Sequence, residues 1–202
     1  MSLDHAILGF LASEDLSGYD LKTLCFAREA SHFWTADQAQ VYRTLDRLER
    51  KCWVSSKTVR QRGKPDRRVY SLTRTGREAL DEWVAQRHPL PALRDPFLLQ
   101  LYFGPEVPDE TLLDVLTARR EECQVRLDAL RDRARALARQ AGKRPDRTAL
   151  LRRMTLDGAL ADTRATIDWL DDCIETLRSA SDKAGPQRTL FGTTFVTGGE
   201  KR

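Results

Sequence analysis

No run of apolar residues in this chain reaches the ~18 that a membrane-spanning helix requires. The opening Met-Ser-Leu-Asp-His carries neither a basic n-region nor a hydrophobic signal block, so a soluble, cytoplasmic protein is expected. Cysteine is sparse. Cys25, Cys52, Cys123 and Cys173 include no Cys-x-x-Cys pair, and each falls on or beside an apolar stripe, as small buried thiols do. The three histidines, His5, His32 and His88, are scattered without metal-ligand spacing. There is no nucleophile motif and no Gly-rich phosphate loop. The acidic pair Asp171-Asp172 sits in a helical charge pattern and reads as solvated. These absences argue against an enzyme, and neither a metal nor a cofactor is expected.

What is present is enough apolar material for a packed core, 41% of 202 residues, in one large domain or two small ones. Net charge is only +4, but it is unevenly spread. Asp37–Arg77 holds twelve Lys/Arg against four Asp/Glu, a local +8, which leaves −4 for the rest. A basic segment in an otherwise acidic chain suggests a polyanion partner.

Hydrophobic spacing organises the chain. Leu3, Ile7, Leu8, Phe10 and Leu11 form one helical stripe. A second helix follows with Ser17 as cap and Tyr19, Leu21, Leu24, Cys25 and Ala27 as apolar positions. A third, Thr35–Lys51, has Thr35 and Gln38 at capping-box spacing and an inward face of Val41, Leu45, Leu48 and Cys52. Two strand-like runs, 53–60 and 67–73, flank the turn residues Gly63 and Pro65, which reads as a β-hairpin with a basic tip. Thr73 or Thr75 can cap the next helix, which runs through Val84. Prolines at 89 and 91 mark a boundary. Two long helical patterns follow, Asp109–Ala141 and Ala149–Ser179, with apolar residues at alternating steps of three and four. Gly142-Lys-Arg-Pro145 between them predicts an antiparallel pair. The expected fold is mostly α with a small β-hairpin. Residues 1–88 form a winged helix-turn-helix, 89–181 a helical dimerisation and effector region, and 182–202 a disordered tail.

Three helices and a hairpin in this order place the third helix in a DNA major groove. Its polar side carries Gln40, Arg43, Thr44 and Arg47, with Gln38 at its start. Gln can pair with adenine, Arg with guanine, and Thr with either or with a thymine methyl. Tyr42 can reach a phosphate or pack into the core. Lys57 and the hairpin cations Arg62, Lys64, Arg67 and Arg68 suit phosphates or a narrow minor groove.

Particular residues carry a family resemblance. Ile7-Leu-Gly-Phe-Leu11, Gly18-Tyr-Asp-Leu21, Trp34, Gln40-Val-Tyr42, Leu45, Leu48, and Arg67-Arg-Val-Tyr-Ser-Leu-Thr73 with Gly76 resemble the PadR family of transcriptional regulators. Phe97-Leu-Leu-Gln-Leu-Tyr-Phe103 and Trp169-Leu170 look like its longer subgroup, and the likeness spans residues 1 to about 178. Two positions depart from it: Arg43, where the family often has Pro, and Lys51-Cys52-Trp53, where a Gly is common.

The resemblance implies a homodimer in which the C-terminal helices of one subunit pack with the N-terminal region of the other. Such a dimer binds a palindromic operator in double-stranded DNA as a repressor of a nearby gene, its recognition helices about 34 Å apart. It also implies release by a small aromatic or hydrophobic effector, for which Phe97, Tyr102, Phe103 and Trp169 are the candidate contacts, with plain core packing as their other reading. The alternative function is a winged-helix module that binds proteins. The cationic third helix argues against it, because protein interface cores are depleted of charge.

Overall fold

The computed structural model describes residues 2–60, 66–92, 94–141 and 146–181. The chain divides into two compact units, Met1–Leu90 and Pro91–Arg202.

In the first unit, α1 (Ser2–Leu11) buries Ile7, Leu8 and Leu11. Ser17 caps α2 (Gly18–Asp20) as expected. Its hydroxyl accepts from Asp20 N at 3.2 Å while the Asp20 carboxylate accepts from Ser17 N at 3.0 Å. Beyond Asp20 the expected ordinary helix gives way to a π-helix, Leu21–Glu29, where Ala30 N donates to Cys25 O at 2.8 Å. The wider winding puts Leu21, Cys25, Phe26 and Ala30 in the core together.

α3 (Gln38–Arg50) starts later than the sequence suggests. Asp37, not Thr35, is the cap. The Asp37 carboxylate accepts from Gln40 N at 2.7 Å, and the Gln40 side-chain oxygen accepts from Asp37 N at 3.0 Å. Asp is at least as good a cap as Thr, and Gln40 completes its box from the third helical position. Val41, Leu45 and Leu48 are 0% exposed, as their spacing predicts. Cys52 corrects the expected inward face, since it is exposed at φ 56 just past the helix end. Left-handed backbone costs a non-glycine residue about 1–2 kcal/mol.

β2 (Val54–Val59) and β3 (Arg67–Leu72) pair antiparallel, with Val54 opposite Leu72 and Val59 opposite Arg67. The turn expected at 61–65, with Arg62 and Lys64, falls outside the described residues. A third strand, β1 (Leu16–Ser17), pairs with β3 through Leu16–Tyr70 and Ser17–Val69, giving the order β1-β3-β2. Two residues are too few to show a period, so β1 was not legible beforehand.

Thr73, rather than Thr75, caps α4 (Arg74–Ala85) by accepting from Gly76 N at 3.1 Å. The Thr73 and Thr75 hydroxyls both donate to Cys52 O at 2.7 Å, which ties the start of α4 to the turn after α3. Gly76 makes this approach possible, because a Cβ there would lie 2.0 Å from Trp53 O.

In the second unit, Asp95 caps α5 (Pro96–Tyr102), accepting from Phe97 N at 2.9 Å. A single 3-10 turn, Gly104–Glu106, leads into α6 (Asp109–Ala141), which is followed by α7 (Arg147–Ser181). These two run antiparallel: Arg120 pairs with Asp171 at 2.7 Å, and Ser181 Oγ donates to Asp109 Oδ2 at 2.6 Å. The expected rhythm is kept, with Leu156, Leu160, Thr163, Ile167, Leu170 and Ile174 all buried. Leu127, Leu130 and Ala134 of α6 face the first part of this stripe, and Leu116 and Phe97 face Leu170 and Ile174. The tail 182–202 lies outside the described residues.

Gly76→Ala forces a methyl group into the Trp53 carbonyl. The expected loss is at least ~2 kcal/mol, since overpacked backbone cannot retreat as a side chain can. Denaturant unfolding followed by tryptophan fluorescence measures it, and an unchanged midpoint would contradict the contact.

Candidate nucleic-acid interface

The buried trio Val41, Leu45 and Leu48 fixes the rotation of α3 about its axis, and so fixes what points outward. At 100° per residue, the positions opposite the trio are 39, 43, 46 and 50, at steps of four, three and four. Ala39, Arg43, Asp46 and Arg50 are all exposed. Arg43 and Arg50 have no ion pair among the described residues, so their guanidinium groups stay available.

The sequence-expected face lies to one side of this spine. Arg47 and Gln40 flank it toward α1. Gln38 is exposed at the helix start, and the Gln40 side chain is engaged in the cap. Thr44 is corrected as a base reader: it is 3% exposed, and its hydroxyl accepts from Arg47 at 3.3 Å. Arg47 itself is tied to Asp4 of α1, which is 1% exposed, and Lys51 donates to the same carboxylate at 3.3 Å. Burial works against the Asp4 charge, yet the hydrogen bonds and charges of Arg47 and Lys51 outweigh it and hold its carboxyl below the ordinary range. A shallow hollow of about 380 Å³ opens here, lined by Leu3, Trp34, Thr35, Gln40, Arg43 and Arg47 among others.

On the other flank, Tyr42 is 37% exposed, and its ring lies against Gly18, where a Cβ would come within 2.5 Å of it. Tyr42 therefore packs one face against Gly18 and leaves one edge exposed.

The wing cations are also held by carboxylates. Arg67 pairs with Asp20, the same acid that completes the Ser17 cap. Arg68 pairs with Glu49 at 2.5 Å, donates to Ser56 Oγ at 2.9 Å and lies over the Tyr70 ring. A hydrogen bond from Ser56 and the Arg68 contact lower the Glu49 carboxyl against the opposing effect of burial. Lys57 reaches Asp15 at 3.4 Å and is otherwise exposed. The acids Asp4, Asp15, Asp20 and Glu49 were not foreseen. They come from three other segments and α3, and no sequence spacing links them to their cations.

In the helical unit, the four candidate ligand contacts are not brought together. Phe97 is buried, edge-on to Trp169 at 6.2 Å and beneath the Arg119 guanidinium. Tyr102 and Phe103 are 62% and 53% exposed and contact each other. Trp169 lines a hollow of about 390 Å³ with Leu101, Leu112, Leu116, Cys173 and Leu177. Among the described residues there is no group of His, Cys, Asp and Glu able to hold a metal, and no helix long and apolar enough to cross a membrane.

A short helix pair feeding an exposed third helix, backed by a three-stranded antiparallel sheet, defines a winged helix-turn-helix. Comparison with known proteins narrows the class. Residues 7–82 match the transcriptional regulator PadR-like family, and residues 93–178 match the virulence activator alpha C-terminal family. The chain is 32% identical over 195 residues to the probable transcriptional regulator Rv1176c of Mycobacterium tuberculosis, covering 88% of this chain and 98% of that protein. It is 36% identical over 102 residues to the negative transcriptional regulator PadR of Bacillus subtilis, covering 50% of this chain and 56% of that one. The crystal structure of Bacillus subtilis PadR with operator DNA superposes at a TM-score of 0.77 and 28% identity, covering 88% and 99% of the two chains. The same protein with p-coumaric acid gives 0.74 and 26%, with the same coverage. The chain belongs to the PadR family of transcriptional regulators.

Replacing Asp4 by Asn tests the anchor. Because the folded-state carboxyl is lowered, its stabilisation is present above about pH 4 and is lost as pH falls through the folded value. Asp4→Asn should cost about 1–2 kcal/mol at pH 7, discounted because Arg47 and Lys51 can turn to water. The gap from wild type should close below about pH 4. Denaturant midpoints across pH 3–7 measure this, and a constant gap would refute it.

Proposed function

We propose that this protein is a cytoplasmic homodimer that binds a palindromic operator in double-stranded DNA and represses a nearby gene. The observation that carries the reading is the exposed spine of α3. Arg43 and Arg50 stand free on the face opposite a fully buried trio, on a winged helix-turn-helix. The likeness to a relative solved with operator DNA supports it. Gln38, Gln40 and the edge of Tyr42 fit the rim of a major groove, and Arg47, Lys57, Arg67 and Arg68 fit phosphates as held cations. Apolar residues exposed along the helical unit, Val125 at 72% and Met154 at 60% among them, support a second copy as their cover.

Footprinting on DNA next to the protein's own gene should show two protected half-sites about one helical turn apart. Arg43→Ala should weaken operator binding by about 1–3 kcal/mol, and more than Arg67→Ala does. Protection absent at every salt concentration would remove the DNA reading and favour a protein-binding module.

The effector is proposed to be a small aromatic or hydrophobic molecule. The hollow beside Trp169 has the size and apolar lining for one, and a relative is known bound to p-coumaric acid. Titration with p-coumaric acid and related phenolics should quench tryptophan emission in the wild type, and less in Trp169→Phe. It should also lower operator affinity. If both proteins respond alike, the site is elsewhere.

A further inference from the structure

Several acids around α3 and the wing are already engaged, and Asp37 caps the helix. Asp4, Asp15, Asp20 and Glu49 each hold a cation at an edge of the proposed DNA face. Asp46 does not. It stands on the outward spine between Arg43 and Arg50, is exposed, and has no ion pair or hydrogen bond among the described residues. Its electrostatic influence reaches Arg68 and Tyr70 on β3. The core trio leaves it no other direction, since rotating α3 to hide Asp46 would expose Val41 or Leu48.

A carboxylate at the centre of a helix that enters a polyanion is unfavourable unless a donor meets it. In the major groove, the donor suited to Asp is the N4 amino group of cytosine. Against a base edge that offers only acceptors, such as guanine, the same charge is left desolvated and unpaired. The neighbouring Arg43, one turn away on the same face, suits the guanine acceptors N7 and O6.

We propose that Asp46 is a specificity-determining residue that selects cytosine at one position of each half-site, largely by rejecting the alternatives. It therefore weakens binding to random DNA while sharpening the choice of operator. The inference rests on the proposed DNA reading.

Selection of full-length protein on randomised duplexes tests it, with wild type, Asp46→Asn and Asp46→Ala compared at one salt concentration. Wild type should enrich a palindrome with cytosine at one fixed position per half-site. Both variants should lose that preference alone, with roughly ten- to a hundredfold less discrimination there, and should bind random DNA more tightly. A merely structural role would shift unfolding midpoints or every position together. An unchanged cytosine preference, or a variant preference lost at all positions, overturns the proposal while the DNA reading stands. If wild type enriches no sequence at all, the DNA reading fails and this inference with it.

Discussion

The rotation of α3 about its own axis is the constraint on which the rest of the head depends. Val41, Leu45 and Leu48 are 0% exposed and pack with Ile7, Leu8, Leu21 and Phe26. Burying each such side chain is worth about 1.5–3 kcal/mol. Surface ion pairs in the same region are worth about 0–1 kcal/mol apiece, and no sum of the exposed ones competes. The core therefore sets the angle, and the charges arrange themselves around the result. Arg43, Asp46 and Arg50 face outward because the aliphatic trio faces inward.

That ordering explains the carboxylates. Once α3 is fixed, Arg47 and Lys51 fall beside α1, where Asp4 is almost wholly buried. A lone buried carboxylate is costly, and two cations that also reach water make it tolerable. Glu49 does for Arg68 what Asp4 does for Arg47, and Asp20 both caps α2 and holds Arg67. The segment Asp37–Arg77 thus carries +8 in its sequence but presents it unevenly. Cations at the edges are held in fixed directions, and those on the spine are free. Held cations lose less freedom when they meet a phosphate, whereas free ones can adjust to a base.

The elements that could be read from sequence were those with a period. The stripe of α7 from Leu156 to Ile174 and the inward face of α3 needed no knowledge of distant residues. The misreadings came where two local rules competed or where partners were far apart. Thr35 and Asp37 each lie three residues before a Gln, so local spacing offered both caps, and only the folded chain shows that Asp37 with Gln40 is the pair used. The π-helix was hidden because Leu21, Cys25 and Phe26 are compatible with an ordinary helix until the core is assembled. At the site, a count of polar residues at three- and four-step spacing picked Gln40, Arg43, Thr44 and Arg47. Measuring the angle from the centre of the buried trio would have turned that choice by about 80°, to 39, 43, 46 and 50. Asp4 could not be read as the partner of Arg47, because 43 residues separate them and only the fold brings them together.

Specificity gives the helical unit its place in the argument. On the proposed reading, one recognition helix with a spine of three chemically distinctive residues would meet a few base pairs, each correct pair contributing about 1–3 kcal/mol of discrimination. Only at the top of that range would a few such pairs reach the roughly 8 kcal/mol needed to find one operator among about 10⁶ competing sites. Two symmetry-related spines double the discrimination without any new chemistry. The proposed dimer would widen that margin, and a long antiparallel hairpin with exposed Val125, Leu150, Leu151 and Met154 supplies apolar surface on which a twofold interface can form. A negative charge on the spine suits such a dimer. It lowers affinity for random DNA in both half-sites at once, so the contrast between operator and background grows as the product of the two.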